Sequence, residues 1–275
     1  MPSAAIFIAS YSLPGFRAEI EMTHCSTPAI VLRRRDYGDF DVILTVLTRE
    51  FGKRTLIAKA AKKSNKRFPG ILEPFAELHI LFRVGRGKGM VVLEEASLIR
   101  PFDRIRSDIL KTAYASYWAE LIAIWVEENQ MRTNIYHLLA SVLDELASGS
   151  MSAQMLSIFF QMQFLGLEGF EPVMERCTCC QADISKIVQR NFCIDLTQGG
   201  IVCDHCPPKE HGHLRLSKGT LKHLQWVASG DLEKASRVRF SPQALSEATI
   251  FLESFVPYHI GRMPKSLQFL QRLRG

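Results

Sequence analysis

The sequence FAELHILFRV, residues 75–84, alternates apolar and polar side chains along most of its length. The apolar residues at positions 78, 80, 82 and 84 would share one face of an extended chain, and the polar residues at 77, 79 and 83 the other. A period of two residues is typical of a β-strand that is buried on one side. This stretch therefore predicts a strand that lies against a hydrophobic core.

Four further short runs rich in β-branched residues lie on either side of this strand, at 29–33, 41–48, 53–60 and 90–97. Glycine-containing turns separate the runs. Five short strands of this kind match the five-stranded oligonucleotide-binding (OB) barrel in size. We therefore predict an OB-fold domain over residues 22–100.

After the last strand the hydrophobic period becomes helical. Ser107-Asp108 can cap a helix, and the segments 217–230 and 241–261 each begin with a serine and end at a glycine. Residues 152–169 are apolar nearly all round, which is typical of a buried central helix. The predicted class is α+β: an N-terminal five-stranded OB-type β-barrel followed by an α-helical domain over 101–275.

Six of the seven cysteines lie between positions 177 and 206. Two Cys-x-x-Cys pairs, separated by 22 residues, can each form a tight turn and present two thiolates to one tetrahedral ion. The predicted ligands are Cys177, Cys180, Cys203 and Cys206. Because four protein ligands leave no open position, we predict a structural zinc ion in a module at about 174–210, inserted into the helical domain.

The remaining thiols and imidazoles near these pairs are left out of the predicted site. Cys179 lies between the first two ligands and would need a different turn to reach the ion, and Cys193 lies in a strand-like run. His205, His211 and His213 could substitute as ligands. Four cysteines already complete the tetrahedron, so we place these histidines at the surface.

The excess positive charge is confined to one segment. Residues 31–90 contain 14 Lys/Arg and 6 Asp/Glu, whereas the rest of the chain contains 20 and 22, and the whole chain carries +6. A concentrated basic face is the electrostatic footprint of a polyanion, of which nucleic acid is the commonest. A solvated basic surface without a partner is the alternative.

We predict that phosphate contacts come from basic residues on and between the barrel strands. Tyr37, Phe40, Phe68 and Phe75 are available for base stacking, and we choose Phe68 because it lies inside the basic loop. Nothing indicates base-specific readout, so affinity should fall steeply with salt. The predicted nucleic-acid-binding residues are Arg33, Arg34, Arg35, Lys53, Arg54, Lys59, Lys62, Lys63, Lys66, Arg67, Phe68, Arg83, Arg86 and Lys88.

No catalytic arrangement emerges from the sequence. VGRGKGM at 84–90 lacks the G-x-x-x-x-G-K-[ST] pattern of a phosphate loop. Asp36, Asp39 and Asp41 are predicted to bracket a turn and counter the adjacent arginines, rather than to hold a catalytic metal. We predict a non-enzymatic protein.

Neither membrane nor secretory signals are evident. No apolar run approaches the roughly 20 residues that a spanning helix needs, and residues 1–21 lack the basic start of a secretory signal. Seven cysteines, six of them in one tight cluster, fit a reducing compartment better than a disulfide framework. We therefore expect a cytoplasmic protein.

Four separate motifs, in the same order, resemble the RecO family of bacterial DNA repair and recombination mediators. They are AIVLRRRDYGDFDVILTVLTREFGKRTLIAKAAKKSNKRFPGILEPFAELHI (29–80), MVVLEEASLIRPFDRIRSD (90–108), the cysteine module (177–206) and FVPYHIGRMPKSLQFLQRL (255–273). The resemblance implies an OB fold, a helical domain and a zinc module held by four cysteines.

The same resemblance implies a function. It implies binding of single- and double-stranded DNA, annealing of complementary strands, and help in loading recombinase onto strands coated by single-strand-binding protein. The implied partners are RecR and the acidic C-terminal tail of single-strand-binding protein, with no nucleotide cofactor, no small-molecule substrate and a nucleoid-associated location.

The sequence departs from the family pattern at two places, and two alternative functions remain open. AKAAKK at 58–63 stands where the family often has a glycine, and residues 1–21 precede the resemblance, so we hypothesise that Met22 is the native start or that the extension is disordered. A basic barrel with a zinc module would also suit an RNA-binding or ribosome-associated protein. A zinc-dependent nucleic-acid enzyme that uses the aspartates is the third possibility.

Overall fold

The computed structural model describes residues 23–63, 67–85, 90–149, 151–206 and 214–275. Its N-terminal part is a closed barrel in the order β1-β2-β3-β5-β4, which confirms the predicted five-stranded barrel. Neighbouring strands are antiparallel except β3 and β5, which close the barrel through two parallel residue pairs. The strands are β1 (Thr23–Tyr37), β2 (Asp41–Thr48), β3 (Gly52–Ala58), β4 (Glu77–Val84) and β5 (Val91–Arg100).

Strand β1 serves two hydrophobic cores at once. Ala29 and Val31 pack inside the barrel, whereas Ile30 and Leu32 pack into the core of the helical domain. A β-bulge lies between Val31 and Arg33, so Leu32 is the extra residue opposite β2. The bulge lets the buried half of the strand continue into an exposed half that begins at Arg33.

Strand β4 begins at Glu77, two residues after the start of the predicted run 75–84. Phe75 has a φ of 71° and is buried, and its N–H donates to the carbonyl oxygen of Val31 at 2.8 Å. A left-handed backbone is incompatible with a strand. The regular pairing therefore starts at Glu77.

Eight helices follow the barrel in the described part of the chain. The prediction of a buried central helix is confirmed for α4, whose Phe159, Phe160 and Phe164 are at most 3% exposed. None of the helices in the described ranges is long and apolar enough to cross a membrane. The helices are α1 (Asp103–Arg106), α2 (Ile109–Trp125), α3 (Thr133–Ser148), α4 (Ala153–Leu167), α5 (Lys218–Ser229), α6 (Leu232–Ser236), α7 (Pro242–Ile260) and α8 (Lys265–Arg274).

The predicted helix caps are confirmed. Asp108 accepts hydrogen bonds from the backbone of α2, and Ser217 and Ser241 accept them from the first turns of α5 and α7. Gly261 ends α7 in the left-handed region, with a φ of 74°. These ends were predictable because a cap is a contact between residues close in sequence.

The cysteine module lies between α4 and α5 and contains a small antiparallel sheet in the order β7-β6-β8. Phe192 and Ile194 of β6 and Leu216 of β8 are buried in the helical core, so the sheet anchors the module to the helices. The strands are β6 (Asn191–Asp195), β7 (Gly200–Val202) and β8 (Arg215–Ser217), preceded by a 3₁₀ turn at Ile184–Lys186.

The barrel and the helical domain are joined by polar contacts as well as by a shared core. The carboxylate of Glu77, which is 6% exposed, accepts hydrogen bonds from the Tyr136 hydroxyl and the Arg100 guanidinium. Thr55 donates to Glu128 at 2.7 Å on the other side of the joint. The two parts are therefore held together at several points.

Candidate metal centre and nucleic-acid interface

The structure brings the four predicted cysteine ligands together. The sulfur atoms of Cys177, Cys180, Cys203 and Cys206 all lie within 4.8 Å of one another. Four sulfurs around a zinc ion at about 2.3 Å stand about 3.8 Å apart, and the Sγ atoms of Cys180 and Cys203 are 3.7 Å apart. The thiol set therefore fits a tetrahedral metal ion, which it would hold with four sulfur ligands.

Each cysteine pair lies on a turn that the local backbone closes. The N–H of Gln181 donates to the Cys177 carbonyl at 2.9 Å, and the N–H of Cys206 donates to the Cys203 carbonyl at 3.0 Å. The Cys203 N–H also donates to the Cys177 sulfur at 3.4 Å. Burial alone would raise the pKa of the Cys177 thiol, but backbone N–H groups around its sulfur lower that pKa to about 6. The first turn thus favours the thiolate form of Cys177, which is the form that binds metal. Burial instead raises the pKa of the Cys203 thiol, and a hydrogen bond with Cys180 raises that of Cys206.

The cysteines left out of the predicted site also lie outside this group. Cys179 is exposed and Cys193 is half-buried on β6. Within the described ranges, the four-cysteine group is the one set of Cys, His, Asp or Glu residues close enough to hold a metal ion. His211 and His213 lie outside the described residues.

One end of the barrel combines exposed basic and aromatic side chains. The turn after β1 contacts the turn after β3 at this end, where the Lys62 N–H donates to the Phe40 carbonyl at 3.0 Å. Tyr37 is 51% exposed and Phe40 is 44% exposed. We call this surface the hairpin-end cluster, which consists of Arg33, Arg34, Arg35, Tyr37, Phe40, Lys59, Lys62 and Lys63.

Local contacts hold several of these side chains in place. The carboxylate of Asp36 pairs with Arg34 at 3.3 Å and with Lys62 at 3.2 Å. The Lys63 ammonium lies 3.5 Å from the centroid of the Phe40 ring, a cation–π contact. The Asp41 carboxylate accepts a hydrogen bond from the Ala60 N–H at 2.8 Å. Two of the three aspartates therefore organise the turns that present the basic groups.

The prediction that Phe68 stacks on bases does not agree with the structure. Phe68 is 4% exposed and packs inside the barrel core with Leu72 and Val42. Its position in a basic loop indicated exposure, but its ring lies in the barrel core. Tyr37 and Phe40 are the exposed aromatic rings that this prediction passed over, and their place in the turn YGDF was the available signal.

Four predicted phosphate-binding residues are engaged in contacts within the protein. The Lys53 ammonium donates to the Ala123 carbonyl at 2.7 Å, and burial lowers the pKa of Lys53. Arg54 is half-buried and donates to the Phe51 carbonyl at 3.1 Å. Arg83 pairs with Glu94 at 3.0 Å, and Arg67 donates to the Glu94 carbonyl at 2.7 Å. Lys53 and Arg54 therefore serve the structure of the joint and barrel in this conformation.

Three predicted residues of the same set, Lys66, Arg86 and Lys88, lie outside the described residues. The other basic residues of the prediction are those of the hairpin-end cluster. Apart from Arg67, the exposed basic residues of the predicted set within the described ranges therefore lie on the second half of β1 and in the turn after β3.

Two family models together match most of the chain. "Recombination protein O N terminal" matches residues 22–102, which contain the barrel, and "Recombination protein O C terminal" matches residues 106–268. The chain belongs to the RecO family. It is therefore a DNA repair protein by family.

Individual RecO proteins are similar along nearly their whole length. The DNA repair protein RecO of Desulfosudis oleivorans is 42% identical over 267 residues, which cover 95% of this chain and 99% of that protein. The DNA repair protein RecO of Desulfatibacillum aliphaticivorans is 41% identical over 254 residues, covering 92% and 98%. That of Syntrophus aciditrophicus is 34% identical over 254 residues. The similarity includes both the barrel and the helical domain.

Proposed function

We propose that this RecO-family protein binds single- and double-stranded DNA through the hairpin-end cluster and anneals complementary strands without chemical catalysis. One observation carries the proposal. Lys62 and Lys63 lie beside the exposed rings of Tyr37 and Phe40 at one end of an OB-type barrel. Basic groups beside aromatic rings bind a flexible strand through its phosphates and bases, with little preference for sequence. Lys59, Arg33 and Arg35 would extend the phosphate contacts.

Annealing needs binding and strand encounter, not bond breakage. A protein that neutralises phosphates reduces the repulsion between two strands and raises their local concentration. We further propose that the protein assists the loading of recombinase onto strands coated by single-strand-binding protein. RecR and the acidic tail of single-strand-binding protein are its proposed partners, and the cytoplasm at the nucleoid is its proposed location.

We propose that the metal of the four-cysteine group is zinc and that its role is structural. Sulfur ligands in a tetrahedral set are typical of zinc, and four protein ligands leave no position for a substrate or water. The ion would fix the turns at Cys177 and Cys203 that carry the module. The DNA-binding role is assigned to the barrel, so the metal enters the proposed function only through stability.

The test is the annealing of two complementary oligonucleotides already coated with single-strand-binding protein, with and without this protein and in the absence of ATP. We expect faster annealing on addition of the protein. The same assay with matched RNA strands separates DNA repair from the RNA-binding alternative. Binding to DNA without faster annealing would overturn the annealing role, and preference for RNA would overturn the DNA role.

A further inference from the structure

Helix α5 carries an exposed tryptophan. Trp226 is 57% exposed, whereas Trp118 is fully buried and Trp125 is half-buried. Large aromatic side chains that remain at a surface are enriched at binding sites, because their rings offer much contact area at a small entropic cost. Neither the metal centre nor the hairpin-end cluster uses this residue.

Trp226 lies where two cavities beside α5 meet. One cavity, of about 890 Å³, lies between α5 and the cysteine module and is lined by Arg176, Lys222 and Trp226 among others. A second, of about 350 Å³, continues on the other side of Trp226 toward Lys234. We call this continuous surface the Trp226 cleft. The indole therefore lies at the boundary between the two cavities and lines both of them.

The charge of the cleft is mixed with a positive balance. Lys218, Lys222 and Trp226 follow one another at intervals of four residues, so they form one stripe along α5. The basic residues that line the cavities are Arg176, Lys218, Lys222, Lys234 and Arg237, and the acidic ones are Glu175 and Asp183. This balance favours an anionic occupant.

The basic groups differ in how far they are already engaged. The Lys218 ammonium donates to the Ile187 carbonyl at 2.8 Å, and Lys234 and Arg237 pair with acidic neighbours on α6 and its cap. Among the described residues, Arg176 and Lys222 have no ion-pair partner. These two cations, on either side of the groove, are the ones available to a phosphate.

The walls of the cleft combine polar and apolar groups. The larger cavity is lined by Gln181, Ser185, Gln225 and Ser229 together with Ile184 and Leu221. Ile184 and Leu221 are at most 5% exposed, so Trp226 is the large apolar side chain that the cavity offers to an occupant. The anchors of an amphipathic helix need several exposed apolar contacts in a groove, whereas one flat ring between cations and hydrogen-bonding groups suits unpaired nucleotides. The lining therefore favours a nucleic-acid strand over an apolar peptide.

We propose that the Trp226 cleft is a second contact for single-stranded DNA, in which a base stacks on the Trp226 indole and phosphates lie against Lys222 and Arg176. The inference rests on the proposed DNA-binding function and extends it from the barrel to the helical domain. A strand held at two separate places on one protein is kept extended. An extended strand exposes its bases to a complementary strand.

The experiment titrates the full-length protein with a dT oligonucleotide and records tryptophan emission. Stacking of a base on Trp226 is expected to quench the part of the emission that the Trp226→Phe variant lacks. Trp226→Ala should weaken binding roughly tenfold. Trp226→Phe should retain most of the affinity because the phenyl ring still stacks.

A matched control removes another exposed aromatic ring from the helical domain. Phe269 on α8 is 46% exposed and lies outside the cleft, so Phe269→Ala should leave the affinity unchanged. Equal unfolding midpoints for the variants in urea would show that the losses do not come from misfolding.

The outcomes separate this inference from the proposed function. Suppose that the wild-type protein binds the oligonucleotide, that Trp226 emission does not change, and that Trp226→Ala binds with wild-type affinity. The proposed DNA contact at the cleft is then overturned, and the proposal for the barrel stands. If a glutamate-rich peptide quenches Trp226 and the oligonucleotide does not, the cleft is a peptide site and the inference is overturned. If the wild-type protein does not bind DNA, both proposals fail together.

Discussion

At the scale of single residues, position 52 requires glycine because it lies at the joint between the barrel and the helical domain. Its φ is 69°, and a Cβ at this position would lie 1.9 Å from the Gln130 carbonyl oxygen. We expect Gly52→Ala to lower the free energy of unfolding by roughly 3 kcal/mol, through backbone strain and a steric clash. Urea denaturation measures the loss.

Gly38 provides the matched control, because it has a φ of 55° but a Cβ added there would meet no atom within 4 Å. Gly38→Ala should therefore show backbone strain alone, about 1 kcal/mol. Equal losses in the two variants would show that the approach to Gln130 contributes nothing.

The carboxyl of Glu247 should make the free energy of unfolding depend on pH. Burial would raise the pKa of its carboxyl, but hydrogen bonds from Thr220, Ser217 and Gln243 outweigh burial and lower it. A carboxyl whose pKa is lower in the folded state stabilises the protein above the unfolded-state pKa of about 4.3. That stabilisation is lost as the pH falls through the folded-state pKa.

We therefore expect Glu247→Gln to cost about 1–2 kcal/mol at pH 7 and progressively less as the pH falls below about 4.3. Urea denaturation over a series of pH values measures the difference. Glu95→Gln, which changes an exposed carboxyl on β5, should leave the profile unchanged. A cost for Glu247→Gln that is the same at every pH would contradict the assignment.

Residue-scale errors in the sequence-based prediction came from contacts between distant parts of the chain. Lys53 appears in the sequence as a basic group at the start of a strand, yet it binds the carbonyl of Ala123, 70 positions away. Phe68 similarly depends on the packing of the barrel end. The local sequence gives the chemical type of a side chain. Whether that side chain points to solvent or into the protein depends on the elements packed around it.

At the scale of elements, the cysteine module is the part most dependent on one interaction. Its sheet has strands of three to five residues, and Cys177 and Cys203 are buried in a small cluster of their own. We expect Cys203→Ser to lose the bound metal, because three thiolates hold zinc less well than four, and to loosen the module. Metal content per chain and protease cleavage within residues 171–206 measure both effects.

Cys193→Ser is the control for this prediction, since Cys193 lies on β6 outside the four-sulfur group. It should keep its metal and its resistance to protease. Full metal content in Cys203→Ser would instead point to Cys179, Cys193 or His205 as a ligand.

Elements were predictable to the extent that their determinants are close in sequence. The strand at 41–48 follows from a short run rich in β-branched residues between turns. The caps at Asp108, Ser217 and Ser241 follow from cap chemistry. Both signals act within a few residues. The bulge at Leu32 could not be read in this way. It arises because one strand must fill two cores, a condition set by the packing of the whole chain.

At the scale of the whole molecule, the confinement of positive charge to residues 31–90 indicated the barrel as the polyanion-binding part. The counts could not tell which basic groups point to solvent. The structure places Lys53 at the joint, where its ammonium donates to the Ala123 carbonyl. Lys62 and Lys63 lie instead at the barrel surface, where their contacts are with Asp36 and the Phe40 ring of the hairpin-end cluster. An ammonium bound at the joint adds less to the binding of a strand than ammonium groups at the surface.

The double variant Lys62→Glu/Lys63→Glu tests this separation. If both ammonium groups contact phosphates, the slope of log affinity against log salt for single-stranded DNA should fall by about 1.4, with weaker binding to every sequence alike. Lys265→Glu/Arg272→Glu makes the same change in net charge on exposed positions of α8 and should leave the slope nearly unchanged. Equal effects of the two variants would mean that overall charge, rather than the hairpin-end cluster, governs binding, and an unchanged slope in both would place the DNA path elsewhere on the protein.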